Sequence, residues 1–157
     1  MKITTWNVNS VNARIEHLVK FIKEDKSDIY LIQELKCTNE NFPHDEIKNI
    51  NYKSYVNGQK AWNGVALVAK KELKILNNKI PNYNDENARF IETEIELSKI
   101  KSKIKLINIY LPNGNPIDTE KFDYKLDWMK SFNQYIKTLI ENDTPVIIGG
   151  DFNVIPN

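Results

Sequence analysis

The sequence predicts a layered α/β domain in which helices cover β-sheet. Strand and helix signals alternate along the 157 residues, with about seven segments that favour strands and two that favour long helices. The middle segments follow one another without a long helix between them, which favours antiparallel pairing. The length suits one domain, and a hydrophobic fraction of 41% is enough for a core and argues against disorder.

The first part of the chain predicts a strand, a helix and a second strand. Residues 2–8 mix β-branched and aromatic residues, as strands do. Apolar positions between Val11 and Asp25 follow helical spacing, and Ser10 stands where an N-cap is expected. Residues 28–33 form a nearly continuous apolar run, which is typical of a buried strand.

The middle of the chain predicts a loop region followed by four strands. Residues 35–50 favour loop, with a short helix after Pro43. The four strands are predicted at residues 52–57, 64–70, 89–96 and 104–110. A loop over residues 58–63 joins the first two, in keeping with an antiparallel arrangement.

A long helix and one more strand complete the predicted arrangement. The helix covers residues 120–141, and its predicted apolar face consists of Phe122, Leu126, Met129, Phe132, Ile136 and Ile140. Residues 145–150 are apolar again and predict a final buried strand. Helices therefore separate strands near both ends of the chain, and strands follow one another in its middle.

The composition excludes several classes of protein. No apolar run approaches the ~20 residues needed to cross a bilayer, and the first residues lack the apolar core of a secretory signal. Cys37 is the only cysteine, which excludes an internal disulfide framework and fits a reducing compartment. The net charge of +1 excludes a polybasic nucleic-acid binder, although not a local basic groove. We therefore expect a cytoplasmic protein that binds no membrane.

Polar side chains collect at the carboxyl ends of the apolar strands. They are Asn7 and Asn9, Gln33 and Glu34, Tyr110 and Asn113, and Asp151 and Asn153. Because rigid strands end there, side chains at these positions can converge on one cleft. Glu34 and Asp151 supply the carboxylate oxygens that suit Mg²⁺, and amides such as Asn7 can orient water or phosphate.

Other catalytic chemistries lack their residues. Cys37, His17 and His44 do not have zinc-ligand spacing. The sequence contains neither a Gly-rich phosphate loop of the Walker type nor the G-x-S-x-G turn of serine hydrolases. Taken singly, Glu34 and Asp151 are more often solvated loop acids, and it is their joint occurrence with other strand-end residues that favours a site.

At these residues the sequence resembles the exonuclease III family. The motifs that carry the resemblance are Trp6-Asn7-Val8-Asn9, Leu31-Ile32-Gln33-Glu34-Leu35-Lys36, Asn63-Gly64-Val65-Ala66, Ile109-Tyr110-Leu111-Pro112-Asn113-Gly114 and Gly149-Gly150-Asp151-Phe152-Asn153. The family consists of Mg²⁺-dependent abasic-site endonucleases and 3′-exonucleases of the endonuclease/exonuclease/phosphatase superfamily, so the resemblance implies phosphodiester hydrolysis in DNA repair. Leu35 departs from the Thr that is common before the Lys.

The resemblance also implies a role for each motif residue. Glu34 corresponds to the principal Mg²⁺ ligand, with Mn²⁺ as an alternative metal, and Asn7 to a partner of metal and phosphate. Asp151 resembles the base that activates the attacking water, and Asn153 the residue that orients it. Tyr110 resembles a contact to the scissile phosphate. A cation and fixed donors suit this reaction because negative charge collects on the phosphate oxygens in its transition state.

The implied partner is double-stranded DNA with abasic sites or 3′ ends, bound by a monomer. The candidate DNA contacts are Asn9, Lys36, Lys60, Trp62 and Asn113. Simpler interpretations stand beside these. Lys60 in a loop is equally a solvated charge, and Asn113 after a strand is commonly a turn residue. Arg89 is either a groove contact or a charge at a strand edge, and the sequence favours the strand edge.

The resemblance is incomplete towards the carboxyl terminus. The family's later motifs, an Asp-Trp-Arg-like segment and a terminal Ser-Asp-His, do not occur in residues 1–157. The family fold is an α/β sandwich of two mixed, largely antiparallel sheets flanked by helices, so we expect the first sheet and part of the second. The chain is then the N-terminal portion of one such domain, with little activity alone. The alternative is a non-catalytic remnant of the fold that binds nucleic acid or a partner.

Overall fold

Two four-stranded sheets face each other in the computed structural model, which describes residues 1–97 and 102–154. The strands in these ranges are β1 (Ile3–Asn7), β2 (Ile29–Gln33), β3 (Lys53–Asn57), β4 (Val65–Ala69), β5 (Lys74–Asn77), β6 (Phe90–Leu97), β7 (Ser102–Tyr110) and β8 (Val146–Asp151). A 3₁₀ turn (Asn12–Arg14) precedes the helices α1 (Ile15–Asp25), α2 (His44–Lys48) and α3 (Glu120–Glu141). Within the described ranges, no helix is both long enough and apolar enough to cross a membrane.

Both sheets are mixed and largely antiparallel, which confirms the predicted fold class. The first sheet has the strand order β1-β2-β4-β3 and the second has β5-β6-β7-β8. The pairs β1–β2 and β7–β8 are parallel, and the other pairs are antiparallel. Each parallel pair is joined through a helix, α1 or α3, as a parallel connection requires. The carboxyl ends of the paired strands therefore lie side by side.

Three apolar layers stabilise the sandwich. On β2, Tyr30 and Ile32 pack towards the helices α1 and α2, whereas Ile29 and Leu31 pack towards the second sheet. The third layer lies between the second sheet and α3. Because both faces of β2 and β4 are covered, every residue of these two strands is buried.

The buried face of α3 differs in part from the prediction. Trp128, Phe132 and Leu139 are its buried residues, and the rings of Trp128 and Phe132 stack with centroids 5.3 Å apart. Leu126 and Ile140, which the sequence pattern places on the apolar face, are 49% and 64% exposed. The other predicted positions are at least partly buried. The large aromatic side chains decide the face, because their burial removes the most apolar area from water.

Three local features also differ from the sequence predictions. Ser10 does not cap α1, since the 3₁₀ turn before it has no side-chain cap bond; the N–H of Ser10 instead donates to the Glu34 carbonyl at 2.7 Å. The last strand, predicted to be buried, is half-buried at all six residues because it lies at a sheet edge. β5 was not predicted, because it is a short edge strand whose exposed first residues carry no clear alternation.

Candidate active site

Four strands end at one edge of the sandwich. β1 ends at Asn7, β7 at Tyr110 and β8 at Asp151, and Glu34 directly follows β2. Asn7 pairs with Gln33 in the first sheet, and Tyr110 pairs with Asp151 in the second. The two parallel pairs therefore bring residues from both sheets to the same edge.

Asn7 connects the two carboxylates of this edge. Its Nδ2 donates to Glu34 Oε1 at 2.8 Å and to Asp151 Oδ2 at 2.8 Å. The Tyr110 hydroxyl donates to the same Glu34 Oε1 at 2.9 Å. The structure thus brings Asn7, Glu34, Tyr110 and Asp151 into one hydrogen-bonded group, which we call the Asn7 cluster.

The Asn7 cluster favours an ionised Glu34. Partial burial opposes the charged form of Glu34, but hydrogen bonds from Asn7 and Tyr110 and the ion pair with Lys36 outweigh it and lower the Glu34 pKa. The Lys36 Nζ lies 3.1 Å from Glu34 Oε2. Burial and the hydrogen bond to Glu34 raise the pKa of Tyr110 to about 12. At neutral pH the cluster therefore holds a carboxylate and a protonated phenol.

Backbone contacts with a neighbouring loop hold the segment after β2 in place. Glu34 and Lys36 both have a φ of 55°, a left-handed conformation that residues other than glycine adopt at a cost. The N–H of Leu35 donates to the Gly64 carbonyl at 3.2 Å, and the N–H of Lys36 donates to the Asn63 carbonyl at 3.0 Å. Gly64 has a φ of +88°, and a Cβ there would lie 2.8 Å from Leu35 Cβ. Only glycine lets the two loops approach so closely.

Asp151 is held by the residues on either side of it. Asn153 donates its backbone N–H to Asp151 Oδ1 at 3.0 Å and its side-chain amide to the Leu111 carbonyl at 2.7 Å. Gly150 has a φ of +143°, and a Cβ there would lie 2.1 Å from the Ile109 carbonyl oxygen. Glycine is therefore required for β8 to approach β7 just before Asp151. Asn153 orients the Asp151 carboxylate from the other side.

A cleft of about 500 Å³ opens beside Glu34 and Tyr110. Three of the predicted DNA contacts, Lys36, Trp62 and Asn113, line this cleft. Trp62 is 69% exposed, so its indole is available to a ligand at the cleft. The cleft thus combines a carboxylate, an ammonium group and an exposed aromatic ring.

The two remaining predicted DNA contacts lie differently. Asn9 accepts a hydrogen bond from the Lys36 ammonium through its side chain, and its backbone N–H donates to Asn7 at 3.0 Å. Lys60 is exposed on the same loop as Trp62, outside the described residues that line the cleft. Asn9 is therefore joined to the site, whereas Lys60 is an exposed charge on the loop between two cleft-lining residues, Gln59 and Trp62.

Arg89 lines the cleft, whereas the sequence favours a charge at a strand edge. Its guanidinium carbon lies 4.8 Å from the centre of the Tyr110 ring and 5.8 Å from that of Tyr124. Its Nη1 donates to the Tyr110 carbonyl at 3.2 Å. Phe90 pairs with Ile109 in the β6–β7 ladder, and this register places Arg89 beside Tyr110. The structure favours the groove position over a charge at an outer strand edge.

A polar network that the sequence did not reveal forms another wall of the cleft. The Tyr124 hydroxyl donates to Asp85 Oδ2 at 2.7 Å, and burial together with Asp85 raises the Tyr124 pKa. The Asn87 amide donates to Asp85 Oδ1 at 3.0 Å and accepts from the Asn63 amide at 3.1 Å. The network joins α3 to the loop that carries Trp62. No local motif could have indicated it, because its residues come from three separate segments.

The oxygen donors of the Asn7 cluster suit a hard divalent cation. Within the described residues, no group of three or more His, Cys, Asp and Glu side chains comes together to hold a metal. Mg²⁺ needs no such group, because it commonly binds through one or two carboxylates and completes its shell with water and substrate phosphate. His44 is engaged with Ser54 Oγ at 2.7 Å, and burial raises the pKa of Cys37 to about 11. Neither residue takes part in the Asn7 cluster.

The structure combines two facing mixed sheets, outer helices and an oxygen-rich cluster at the strand ends. These features define a class of α/β sandwich proteins whose site suits a cation and a phosphate. The chain belongs to the Endonuclease/Exonuclease/phosphatase family, whose model matches residues 4–157. This match confirms the family resemblance that the sequence motifs carry. Nucleases of this family are generally dependent on a divalent metal.

Individual relatives agree with this assignment. The chain is 31% identical to exodeoxyribonuclease III of Haemophilus influenzae, over 100% of this chain and 59% of that protein. The AP endonuclease from Archaeoglobus fulgidus superposes with a TM-score of 0.88 and 32% identity, over 100% of this chain and 59% of its own. A 3′ phosphatase, NExo from Neisseria, bound to a product DNA hairpin, superposes with a TM-score of 0.85 and 30% identity, over 100% of this chain and 59% of its own. The chain thus spans about 59% of the length of these relatives.

Proposed function

We propose that the protein to which this chain belongs hydrolyses phosphodiester bonds in DNA repair, as an abasic-site endonuclease and a 3′–5′ exonuclease. The observation that carries the proposal is the double hydrogen bond of Asn7, which joins the Glu34 and Asp151 carboxylates at the strand ends. The relatives that the chain matches over its whole length include an exodeoxyribonuclease and an AP endonuclease. We propose Mg²⁺ as the cofactor, with Mn²⁺ as its substitute.

Glu34 and Asn7 are the proposed cation-binding residues. Glu34 suits this role because its low pKa keeps it ionised at neutral pH, with one face open to the cleft. A divalent cation bound there supplies positive charge that polarises the phosphate and offsets the charge developing on its oxygens. Lys36, 3.1 Å from Glu34 Oε2, adds a further positive charge for a DNA phosphate.

Asp151 is the proposed base, and Asn153 and Tyr110 are its proposed partners in catalysis. Asp151 accepts the proton of the attacking water, and Asn153 holds the carboxylate by its N–H bond to Oδ1. When the substrate binds, Tyr110 transfers its single hydrogen bond from Glu34 Oε1 to an oxygen of the scissile phosphate. A phenol with a pKa of about 12 keeps that hydrogen at any physiological pH.

The proposed DNA contacts surround these groups. Lys36, Trp62 and Asn113 line the cleft, and Asn9 supports the Lys36 ammonium. Lys60 contributes an exposed positive charge to the approach of the DNA. We propose double-stranded DNA with abasic sites or 3′ ends as the substrate, bound by a monomer in the cytoplasm.

The test uses the full-length protein and an end-labelled duplex with one abasic site. We expect incision with Mg²⁺, its loss in EDTA and its return when Mg²⁺ or Mn²⁺ is added back. Asp151→Asn should abolish most of the incision, whereas Asp143→Asn, an exposed acid at the other end of β8, should leave it intact. Binding of the duplex without incision by the wild-type protein would instead favour a non-catalytic nucleic-acid-binding role.

A further inference from the structure

Asn108 is a fully buried polar residue in the layer between the two sheets. Leu106 and Tyr110, which lie two residues before and after it on β7, pack into this layer, so strand alternation places Asn108 there as well. Asn108 is 0% exposed. A buried amide destabilises a fold unless its donors and acceptor are paired, so its partners are informative.

The amide of Asn108 pairs with three groups across the space between the sheets. Its Nδ2 donates to the carbonyls of Ile32 at 2.9 Å and Ala66 at 2.8 Å, and its Oδ1 accepts from Gln33 Nε2 at 2.7 Å. Ile32 and Ala66 are direct partners in the β2–β4 ladder. One side chain of the second sheet therefore holds two neighbouring strands of the first. We call these three hydrogen bonds the inter-sheet clamp.

The inter-sheet clamp lies next to the Asn7 cluster along both sheets. Gln33 directly precedes Glu34, and Asn108 lies two residues before Tyr110 on the same face of β7. The Tyr110 hydroxyl reaches Glu34 at 2.9 Å from the opposite sheet, so this bond depends on the sheet separation. Apolar packing between the sheets is non-directional, whereas the clamp's hydrogen bonds depend steeply on distance and angle.

The backbone beside Asn108 shows that the two sheets approach closely at this level. Gly149 is the register partner of Asn108 in the β7–β8 ladder. A Cβ at Gly149 would lie 2.5 Å from Leu31 Cδ1 in the first sheet. A side chain at this position would meet the Leu31 side chain, which would have to move to admit it.

We propose that Asn108 is a positioning residue. Through the inter-sheet clamp it sets the separation of the sheets beside the Asn7 cluster, and so it holds Glu34 and Tyr110 within hydrogen-bonding distance. The consequence for catalysis rests on the proposed function. The control of the site's geometry does not, and it can be measured without any activity.

The first test measures geometry alone. Asn108→Leu removes the clamp and keeps the number and branching of the side-chain heavy atoms. Thr93→Val is the matched control, because Thr93 is also 0% exposed and loses only its bond to the Leu106 carbonyl. In full-length protein with ring-¹³C tyrosine, the Cζ resonance of Tyr110, assigned with Tyr110→Phe, reports the hydrogen bond of its hydroxyl. Asn108→Leu is expected to shift this resonance, and Thr93→Val is expected to leave it. An unchanged resonance in folded Asn108→Leu overturns the proposal.

The second test measures catalysis by the same variants. A displacement of ~1 Å at a site can lower a rate about a hundredfold, so we expect a loss of about that size in kcat for Asn108→Leu, with little change in KM. Thr93→Val should keep both constants. If the two variants lose the same stability and Asn108→Leu retains its kcat, the role of Asn108 is only structural and the proposal fails.

Two further results bear on the proposal. If Asn108→Leu does not fold, Asn108→Ser, which keeps a smaller polar group, replaces it in both measurements with the same expectations. If the wild-type protein cuts no DNA but the Tyr110 resonance shifts in the clamp variant, the clamp is supported and only the proposed function is contradicted.

Discussion

Glu34 and Glu92 are surrounded by the same kinds of donor but lie in opposite environments. Each contacts one asparagine, one tyrosine and one lysine: Asn7, Tyr110 and Lys36 at Glu34, and Asn77, Tyr135 and Lys105 at Glu92. The side chain of Glu34 is 19% exposed and lines the cleft, whereas that of Glu92 is 0% exposed beneath α3. The donor set alone therefore does not distinguish a site from a structural ion pair.

The difference lies in what remains open around each carboxylate. Both oxygens of Glu92 accept from the Tyr135 hydroxyl, at 2.9 and 2.8 Å, and Lys105 Nζ lies 2.5 Å from one of them. At Glu34 a second carboxylate, Asp151, shares the Asn7 amide, and a cleft admits a ligand. A fully paired buried carboxylate is costly to disturb, because its partners would be left buried and unpaired, whereas an open, doubly acidic site suits a bound cation.

The largest expected effect is on catalysis at the open glutamate. In the full-length protein, Glu34→Ala and Asp151→Ala should each lower abasic-site incision by about a thousandfold or more, because charge stabilisation and water activation are lost. Urea unfolding should show little loss of stability in either variant. Near-normal incision rates would remove these two residues from the proposed mechanism.

The next largest effect is a loss of stability when the packing of α3, the helix that covers Glu92, is disturbed. Trp128→Ala should destabilise the protein by about 3–5 kcal/mol, because the indole is 1% exposed and stacks on Phe132. Leu126→Ala is the matched control on the same helix, where a 49% exposed side chain should cost no more than about 0.5 kcal/mol. Equal losses in urea unfolding would contradict the buried face assigned to α3.

A substitution at the fully paired Glu92 should lower the stability of the protein and leave its activity unchanged. Glu92→Gln leaves Lys105 without its ion-pair partner and should cost about 3 kcal/mol, measured by urea unfolding. Glu94→Gln, on the same strand, removes the more exposed pair with Lys103 at 2.8 Å and should cost clearly less stability, because water screens an exposed ion pair. A loss of incision in Glu92→Gln at a temperature where it is folded would break the distinction between the two glutamates.

The smallest expected effect concerns Asp25, a third carboxylate that accepts several hydrogen bonds. Hydrogen bonds from Lys2, at 2.6 Å, and from Ser27 and Tyr30 hold its pKa well below the ordinary carboxyl range. Because its folded pKa is the lower one, its contribution to stability is present above the unfolded pKa of about 3.9 and is lost as the pH falls below it. In urea unfolding across acid pH, Asp25→Asn should therefore lose stability less steeply than the wild type. The exposed Asp143→Asn should follow the wild type, and a parallel decline in Asp25→Asn would contradict the assignment.

Local pattern predicted most elements and the convergence of the site. Runs of apolar and β-branched residues marked the strands, and polar residues at the strand ends predicted the convergence that joins Asn7, Glu34 and Asp151. The errors have a common cause. The face of α3 and the burial of β8 depend on which neighbours cover them, and a short edge strand such as β5 lacks the alternation that burial imposes on a strand.

By itself the sequence determined the family, the order of the elements and the chemical kinds of residue at the strand ends, because these follow from local composition and periodicity. Only the tertiary structure decided which carboxylate is open and which is closed. Glu34 and Glu92 have similar partners, drawn in each case from segments far apart in the chain, and their exposure depends on a cleft in one case and on α3 in the other. The same holds for Arg89 and Asn108. Their roles arise from strand register and sheet separation, which long-range packing sets and no short stretch of sequence encodes.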